Sequence, residues 1–223
     1  MAPPLNILYP LQSKSEKYYR VIMSFLCWGS LILQFWLLIA SVKVPSTKSY
    51  LTSIGEYFSY LTIWTNIIVG CVITLPLIDK RAALTVYLSR PFIQTAVLVY
   101  ILIVCISYHI LLSEIWDPQG WQKIADISLH YGLPILYFLF WLLYVPKGYF
   151  IYSKVYTILS YPLVYLVFAM LVGITTNYYS YYFLDAKTYG YPEFFKIIGG
   201  LTAAYLVLGY IVSFVDKSLR PKV

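Results

Sequence analysis

The 223-residue chain is 61% hydrophobic and only 11% charged, and its formal charge is +7. Soluble domains carry roughly 45–50% apolar and about 25% charged residues, so this composition excludes a soluble domain, a disordered chain and a coiled coil. Aromatic residues are 19% of the chain, with 25 Tyr and 6 Trp, side chains that favour the bilayer interface.

A hydrocarbon core of roughly 30 Å takes about 20 apolar residues per helical span. Six uncharged stretches qualify: Val21–Val42, Tyr57–Ile78, Pro91–Ser113, Ile127–Val145, Val155–Thr176 and Ile197–Val215. Continuous apolar runs of that length exclude a β-barrel, whose strands would alternate. The expected fold is therefore all-α: one six-span transmembrane domain over residues 1–223, multi-pass in a membrane. That membrane would be the cell membrane in a bacterium or an endomembrane in a eukaryote. The first run is longer than the apolar core of a cleaved signal and is kept as a span.

The basic residues flank these runs unevenly. Lys14, Lys17, Arg20, Lys80, Arg81, Arg90, Lys147, Lys154, Lys217, Arg220 and Lys222 share one side. Lys43, Lys48, Lys123, Lys187 and Lys196 share the other. The positive-inside rule then puts both termini in the cytoplasm, as an even number of spans requires. The positive charge reports this orientation and not nucleic-acid binding.

Within the runs, polar groups are few. Cys27, Cys71 and Cys105 sit in apolar runs without metal-motif spacing and read as small packing residues. Span two holds Ser59, Thr62, Thr65 and Asn66, with Thr62 and Asn66 on one helical face. Span three ends near His109. Span four holds His130, with Asp126 one turn before it and Pro134 one turn after. Counted from Gly55 and Lys123, Thr62 and His130 are each seven residues into their spans, about 10 Å at 1.5 Å per residue. A hydroxyl and an imidazole at one depth form a nucleophile–base pair if spans two and four touch. Asp126, one turn before His130, would orient the ring. Pro134 cannot donate to the carbonyl of His130 and would kink the helix.

Each of these residues also has a structural reading. Thr62 and Thr65 would bond a carbonyl within their own helix or a neighbouring helix. His130 would bridge helices. Asn66 would hold two helices together or act as an oxyanion donor. His109 would be a wet interfacial histidine. The Tyr-rich stretch from Asn177 to Lys196 is read as lying in the interface. Gly199, Gly200, Ala203 and Ala204 give span six a small-residue packing face, which would also permit a homodimer. The spans carry no Asp, Glu, Lys or Arg to mark an ion path. No phosphate loop, HExxH, GxSxG or CxxC motif occurs, and no metal or cofactor is expected.

Several segments together carry a resemblance. They are FSYLTIWTNIIVG in span two, the WDP, LHYGLP and WLLYVPKG segments around span four, and YYSYYFLD after span five. From Tyr19 to Leu219 the chain resembles bacterial predicted six-helix integral membrane proteins. These in turn are similar to the eukaryotic androgen-induced-gene family. That resemblance implies hydrolysis of fatty acid esters of hydroxy fatty acids by an intramembrane Thr and His. It maps the nucleophile to Thr62, with Thr65 as the neighbouring candidate, and the base to His130. It keeps Asp185 of the FLD segment, with Ser180 and Tyr182 standing where the family loop has prolines.

The leading expectation is thus a membrane-embedded lipid-ester hydrolase with membrane lipids as its surroundings. The rivals are a non-enzymatic solute carrier or lipid-binding scaffold, and a haem-binding electron carrier using His109 and His130.

Overall fold

The computed structural model describes residues 13–42 and 47–221, with backbone alone at 47–49. Lys43 and Lys222, and the side chain of Lys48, lie outside the described residues. The chain is 82% helical, with no strand among the described residues. The elements are α1 (Lys14–Ala40), α2 (Thr47–Phe58), α3 (Leu61–Ile78), α4 (Ala83–Leu88), α5 (Pro91–Leu111) and α6 (Gly120–Ile127). A π-helical segment, Ser128–Gly132, joins α6 to α7 (Leu133–Tyr144). A 3₁₀ segment, Tyr152–Leu159, leads into α8 (Ser160–Thr176). After a second 3₁₀ turn, Tyr182–Leu184, come α9 (Ala186–Tyr189) and α10 (Tyr191–Ser218). Six helical segments are long and apolar enough to cross a membrane. Large apolar side chains cover the outside, among them Phe25, Ile32, Leu143 and Phe214. An outer surface of that kind belongs in hydrocarbon.

The spans differ from the apolar runs at their ends. The first begins at Lys14 and the fourth at Gly120, and the last runs from Tyr191 to Ser218. Charged residues thereby fall inside long helices: Glu16, Arg20, Asp126 and Asp216 are all buried. Residues 57–60 do not belong to the second span. Phe58 closes α2, and α3 starts afresh at Leu61. The break follows from side-chain competition for carbonyls. The Ser59 hydroxyl donates to Glu56 O at 2.6 Å, and Trp64 Nε1 donates to Phe58 O at 2.6 Å. Tyr165 OH and Ser180 Oγ donate to Ser59 O at 2.6 and 2.7 Å.

We call the end of the bundle that holds Leu61 and Gly120 the upper end, and the end that holds Lys14 and Ser218 the lower end. Helix α5 runs up through the middle and is the most buried span. Pro91 opens it, where a missing N–H costs nothing. Tyr137 OH donates to Gln94 O at 3.0 Å, and Trp141 Nε1 to Thr95 Oγ1 at 2.9 Å, fixing α7 against α5. Helices α1 and α3 approach closely at Gly70, where an added Cβ would come 2.9 Å from the Trp28 ring. The buried Cys27 thiol there donates to Asn66 O at 3.3 Å.

At the lower end, Ser13 caps α1 by accepting from Glu16 N at 3.1 Å. Glu16 pairs with Arg20 at 2.8 Å, and Arg20 Nη1 donates to Val72 O at 2.9 Å. Pro76 lies four residues after Val72 and has no N–H to satisfy that carbonyl, so the guanidinium replaces the missing donor. Asp216 Oδ2 accepts from Gly148 N and Phe150 N at 2.9 Å each, tying α10 to the turn after α7.

Span six packs differently from the sequence expectation. Gly199 and Gly200 face outward with no atom within 4 Å of an added Cβ, and Ala203 is exposed beside them. The close approach occurs instead at Gly209, where a Cβ would fall 2.7 Å from Val155 Cγ1. The stretch from Asn177 also folds inward more than expected. Phe183 and Leu184 are buried, while Tyr189 and Tyr191 stay exposed.

Arg20→Met is expected to lower stability by about 3–5 kcal/mol, because it removes the cation paired with buried Glu16 and strands the Val72 carbonyl. Thermal unfolding in detergent checks this. The double variant Glu16→Gln/Arg20→Met should be less destabilised than Arg20→Met alone.

Candidate functional site

The polar residues of spans two, three and four meet near the upper end. The Thr62 hydroxyl lies 3.1 Å from His130 Nε2. His130 Nδ1 lies 3.0 Å from Asp126 O and 3.2 Å from Asp126 Oδ1. Both of those oxygens accept, so Nδ1 carries a ring proton, and in the neutral ring Nε2 is then the acceptor that faces Thr62. Tyr108 OH donates to Asp126 Oδ2, so both carboxylate oxygens are engaged. The Tyr108 ring also stacks on His130, centroids 3.9 Å apart and 15° from parallel. Thr62, His130 and Asp126 therefore form a continuous hydrogen-bonded row, held flat against a tyrosine.

The local backbone explains how His130 is presented. Its helix passes through the π segment just before Pro134, and Leu133 N–H bonds Ser128 O, five residues back. In that register the partner of the missing Pro134 N–H is Leu129 O, not the carbonyl of His130. Asn66 Nδ2 donates to Leu129 O at 3.3 Å and to Thr62 O at 2.8 Å. Asn66 thus locks the helix of Thr62 to the helix of His130, and its amide hydrogens are committed there.

The equal depth of Thr62 and His130 arises otherwise than by counting from Gly55. Gly55 belongs to α2, and Thr62 is the second residue of α3. The two residues meet because α6 extends the His130 helix upward to Gly120.

The other predicted residues take separate places. Thr65 is fully buried and pairs with Tyr161 OH at 2.8 Å. Asp185 Oδ1 accepts from Thr188 N at 3.2 Å and caps α9. His109 Nδ1 lies 3.0 Å from Tyr131 OH at an exposed edge. Both ring nitrogens of His130 are taken by Thr62 and Asp126, so this arrangement presents no free histidine pair to a haem.

A cavity of about 340 Å³ adjoins the row, bounded by α5, α8, α10 and the Tyr181–Leu184 stretch. Thr62 and Tyr108 lie on its wall. Most of the remaining wall is aliphatic or aromatic. Leu163 on α8 and Thr202 on α10 both line it and are both exposed, so it reaches the outer surface between those helices. Tyr181 covers the upper side of Thr62. Its phenol shares the cavity wall with Thr62, and burial raises its pKa to about 12. The phenol is therefore protonated at neutral pH. Gly173 lets this cover close: Tyr179 packs where its Cβ would be, at 2.1 Å.

Sequence reasoning missed Tyr108 and Tyr181. Tyr108 was accessible in principle, since it continues the buried face Gln94, Val97, Ile101 and Val104 of α5. Tyr181 gave no such signal within a stretch crowded with tyrosine. No family model matches the chain, and neither a curated protein nor a solved structure does.

Asn66→Leu is expected to cost about 1–3 kcal/mol, because it leaves Leu129 O and Thr62 O without that donor. In a Pro134→Ala background the restored N–H reaches Leu129 O, so the same change should cost less. A double-mutant cycle of melting curves reads this coupling.

Proposed function

We propose that this protein is an intramembrane hydrolase that cleaves a lipid carboxylic ester, with Thr62 as nucleophile and His130 as base. One observation carries the reading: the Thr62–His130–Asp126 row has its hydroxyl end on the wall of an apolar cavity. A hydroxyl is a weak nucleophile, and it is activated by an adjacent base that a third group orients. A buried row of this kind matches that requirement, whereas a packing threonine needs only a carbonyl.

The chemistry runs in two halves. His130 Nε2 takes the Thr62 proton as Oγ1 attacks the ester carbonyl. The tetrahedral adduct collapses to an acyl-threonine, and the imidazolium returns its proton to the leaving alkoxide. Water, deprotonated by His130, then attacks the acyl carbonyl and releases the acid with regeneration of Thr62. The Tyr181 phenol, beside Thr62 and protonated, is the donor available to the oxyanion.

The apolar wall and its opening between α8 and α10 suit an acyl chain arriving laterally from lipid. The basic residues of the lower end assign that end to the cytoplasm, which turns the site toward the outer leaflet. The resemblance to the androgen-induced-gene family supports the same chemistry. It makes fatty acid esters of hydroxy fatty acids the first substrates to try.

A fluorophosphonate probe should label the detergent-purified protein and Thr65→Ala, but neither Thr62→Ala nor His130→Ala. A folded wild type that takes no label overturns the hydrolase reading. Ester turnover should fall by about 10³-fold or more in either silent variant. Asp126→Asn should lose only about 10–100-fold. Where a carboxylate alone fixes the tautomer the loss is roughly 10⁴-fold, but here the Asp126 backbone carbonyl still accepts from Nδ1.

A further inference from the structure

The cavity holds a second polar feature, at its inner end. Tyr205 of α10 lines it there, is 2% exposed, and its hydroxyl has no hydrogen-bond partner among the described residues. The phenols nearby are all satisfied. Tyr100 OH donates to Ile158 O at 3.0 Å, Tyr161 OH pairs with Thr65 Oγ1 at 2.8 Å, and Tyr165 OH donates to Ser59 O at 2.6 Å. The lining hydroxyls of Ser107 and Thr202 turn back to Ile103 O and Ile198 O, at 2.7 and 2.8 Å. Apart from Tyr181 beside Thr62, Tyr205 is therefore the wall hydroxyl left with a bond to offer, and it is the fully buried one. A buried hydroxyl without a partner is unfavourable, and a site built around one favours an occupant that completes it.

The level of Tyr205 follows from α5. Tyr108 marks the catalytic level, because it stacks on the His130 ring that bonds Thr62. Tyr100 marks the level of Tyr205, whose ring centroid is 6.2 Å away. Eight residues of helix separate the two tyrosines, roughly 12 Å. An acyl chain with its carbonyl at Thr62 would run along that length of aliphatic wall and pass the Tyr205 hydroxyl.

We propose that the cavity selects an oxygenated acyl chain, one carrying a hydrogen-bond acceptor such as a keto oxygen roughly 12 Å from its carbonyl, held by the Tyr205 hydroxyl. This rests on the hydrolase reading only for which end of the chain lies at Thr62. Binding of the oxygenated chain needs no turnover.

The test uses the full-length Thr62→Ala protein in detergent, so that no ester or acid is consumed. Equimolar stearate and a ketostearate compete, with the keto group stepped along the chain, and native mass spectrometry counts the retained ligand. One keto position should be retained about 10-fold over stearate, as one hydrogen bond to an otherwise orphaned group allows. Adding Tyr205→Phe should bring that ratio to one, with a melting temperature no lower, since it deletes only an unpartnered hydroxyl. A flat series overturns the proposal, with a trapped water then satisfying the phenol. So does a preference that persists in Tyr205→Phe, or retention of neither acid. Fluorophosphonate labelling of Thr62 is read separately. A flat series with intact labelling leaves the hydrolase standing, and a keto preference without labelling leaves this selectivity standing.

Discussion

A carbonyl freed from its helix inside a bilayer has no water to turn to and must find its donor within the protein. Three breaks in this chain create such carbonyls, and much of the tertiary structure consists of their partners. Pro76 frees Val72 O, and Arg20 reaches it from α1. The gap at Ser59 and Tyr60 frees Ser59 O, and Tyr165 and Ser180 bond it. Pro134 and the π segment free Leu129 O, and Asn66 bonds it from α3. Each partner comes from a different segment of the chain, so satisfying the backbone also fixes which helices are neighbours.

The candidate site lies where two of these repairs meet. Thr62 sits three residues beyond the Ser59 break, and His130 lies inside the π segment that Pro134 imposes. Asn66 serves both, since it bonds Thr62 O as well as Leu129 O. A hydroxyl and an imidazole are thereby held within hydrogen-bond distance by main-chain constraints as well as by their own attraction. The carboxylate behind them is buried yet fully used, by the imidazole on one side and Tyr108 on the other. In a low-dielectric setting such a network is stronger than its counterpart in water, and each missing member costs more.

The division of the cavity wall has functional consequences. Thr62 and Tyr108 lie on it, Tyr205 marks its inner end, and most of the remainder is aliphatic or aromatic. The cover formed by Tyr181, Phe183 and Leu184 closes the upper side, while the gap between α8 and α10 faces hydrocarbon. In the proposed function, an apolar ligand would thus reach a polar group without passing through water. Chain burial would then supply the binding energy, and the few hydroxyls that face the chain would set its position.

The sequence by itself determined the all-α class, the six spans and the shortlist of intramembrane polar residues. Hydrophobicity is summed along the chain, and a membrane leaves few alternatives for a long apolar run. It misplaced the helix ends, because the buried charges Glu16, Arg20, Asp126 and Asp216 break apolar runs while their pairing lets the helix continue. Nor did it show that, within the chain, the close approach of span six falls at Gly209 while Gly199 faces outward. It paired Thr62 with His130 through an argument from depth, but contact between spans is a property of three dimensions. Only the tertiary structure decided that Asn66 locks the two helices, that Tyr108 and Tyr181 complete the surroundings of Thr62, and that Tyr205 is left unpartnered. Those facts depend on which helix faces which, and that is set by long-range bonds to freed carbonyls and by close approaches at glycine, neither of which has a period along the chain.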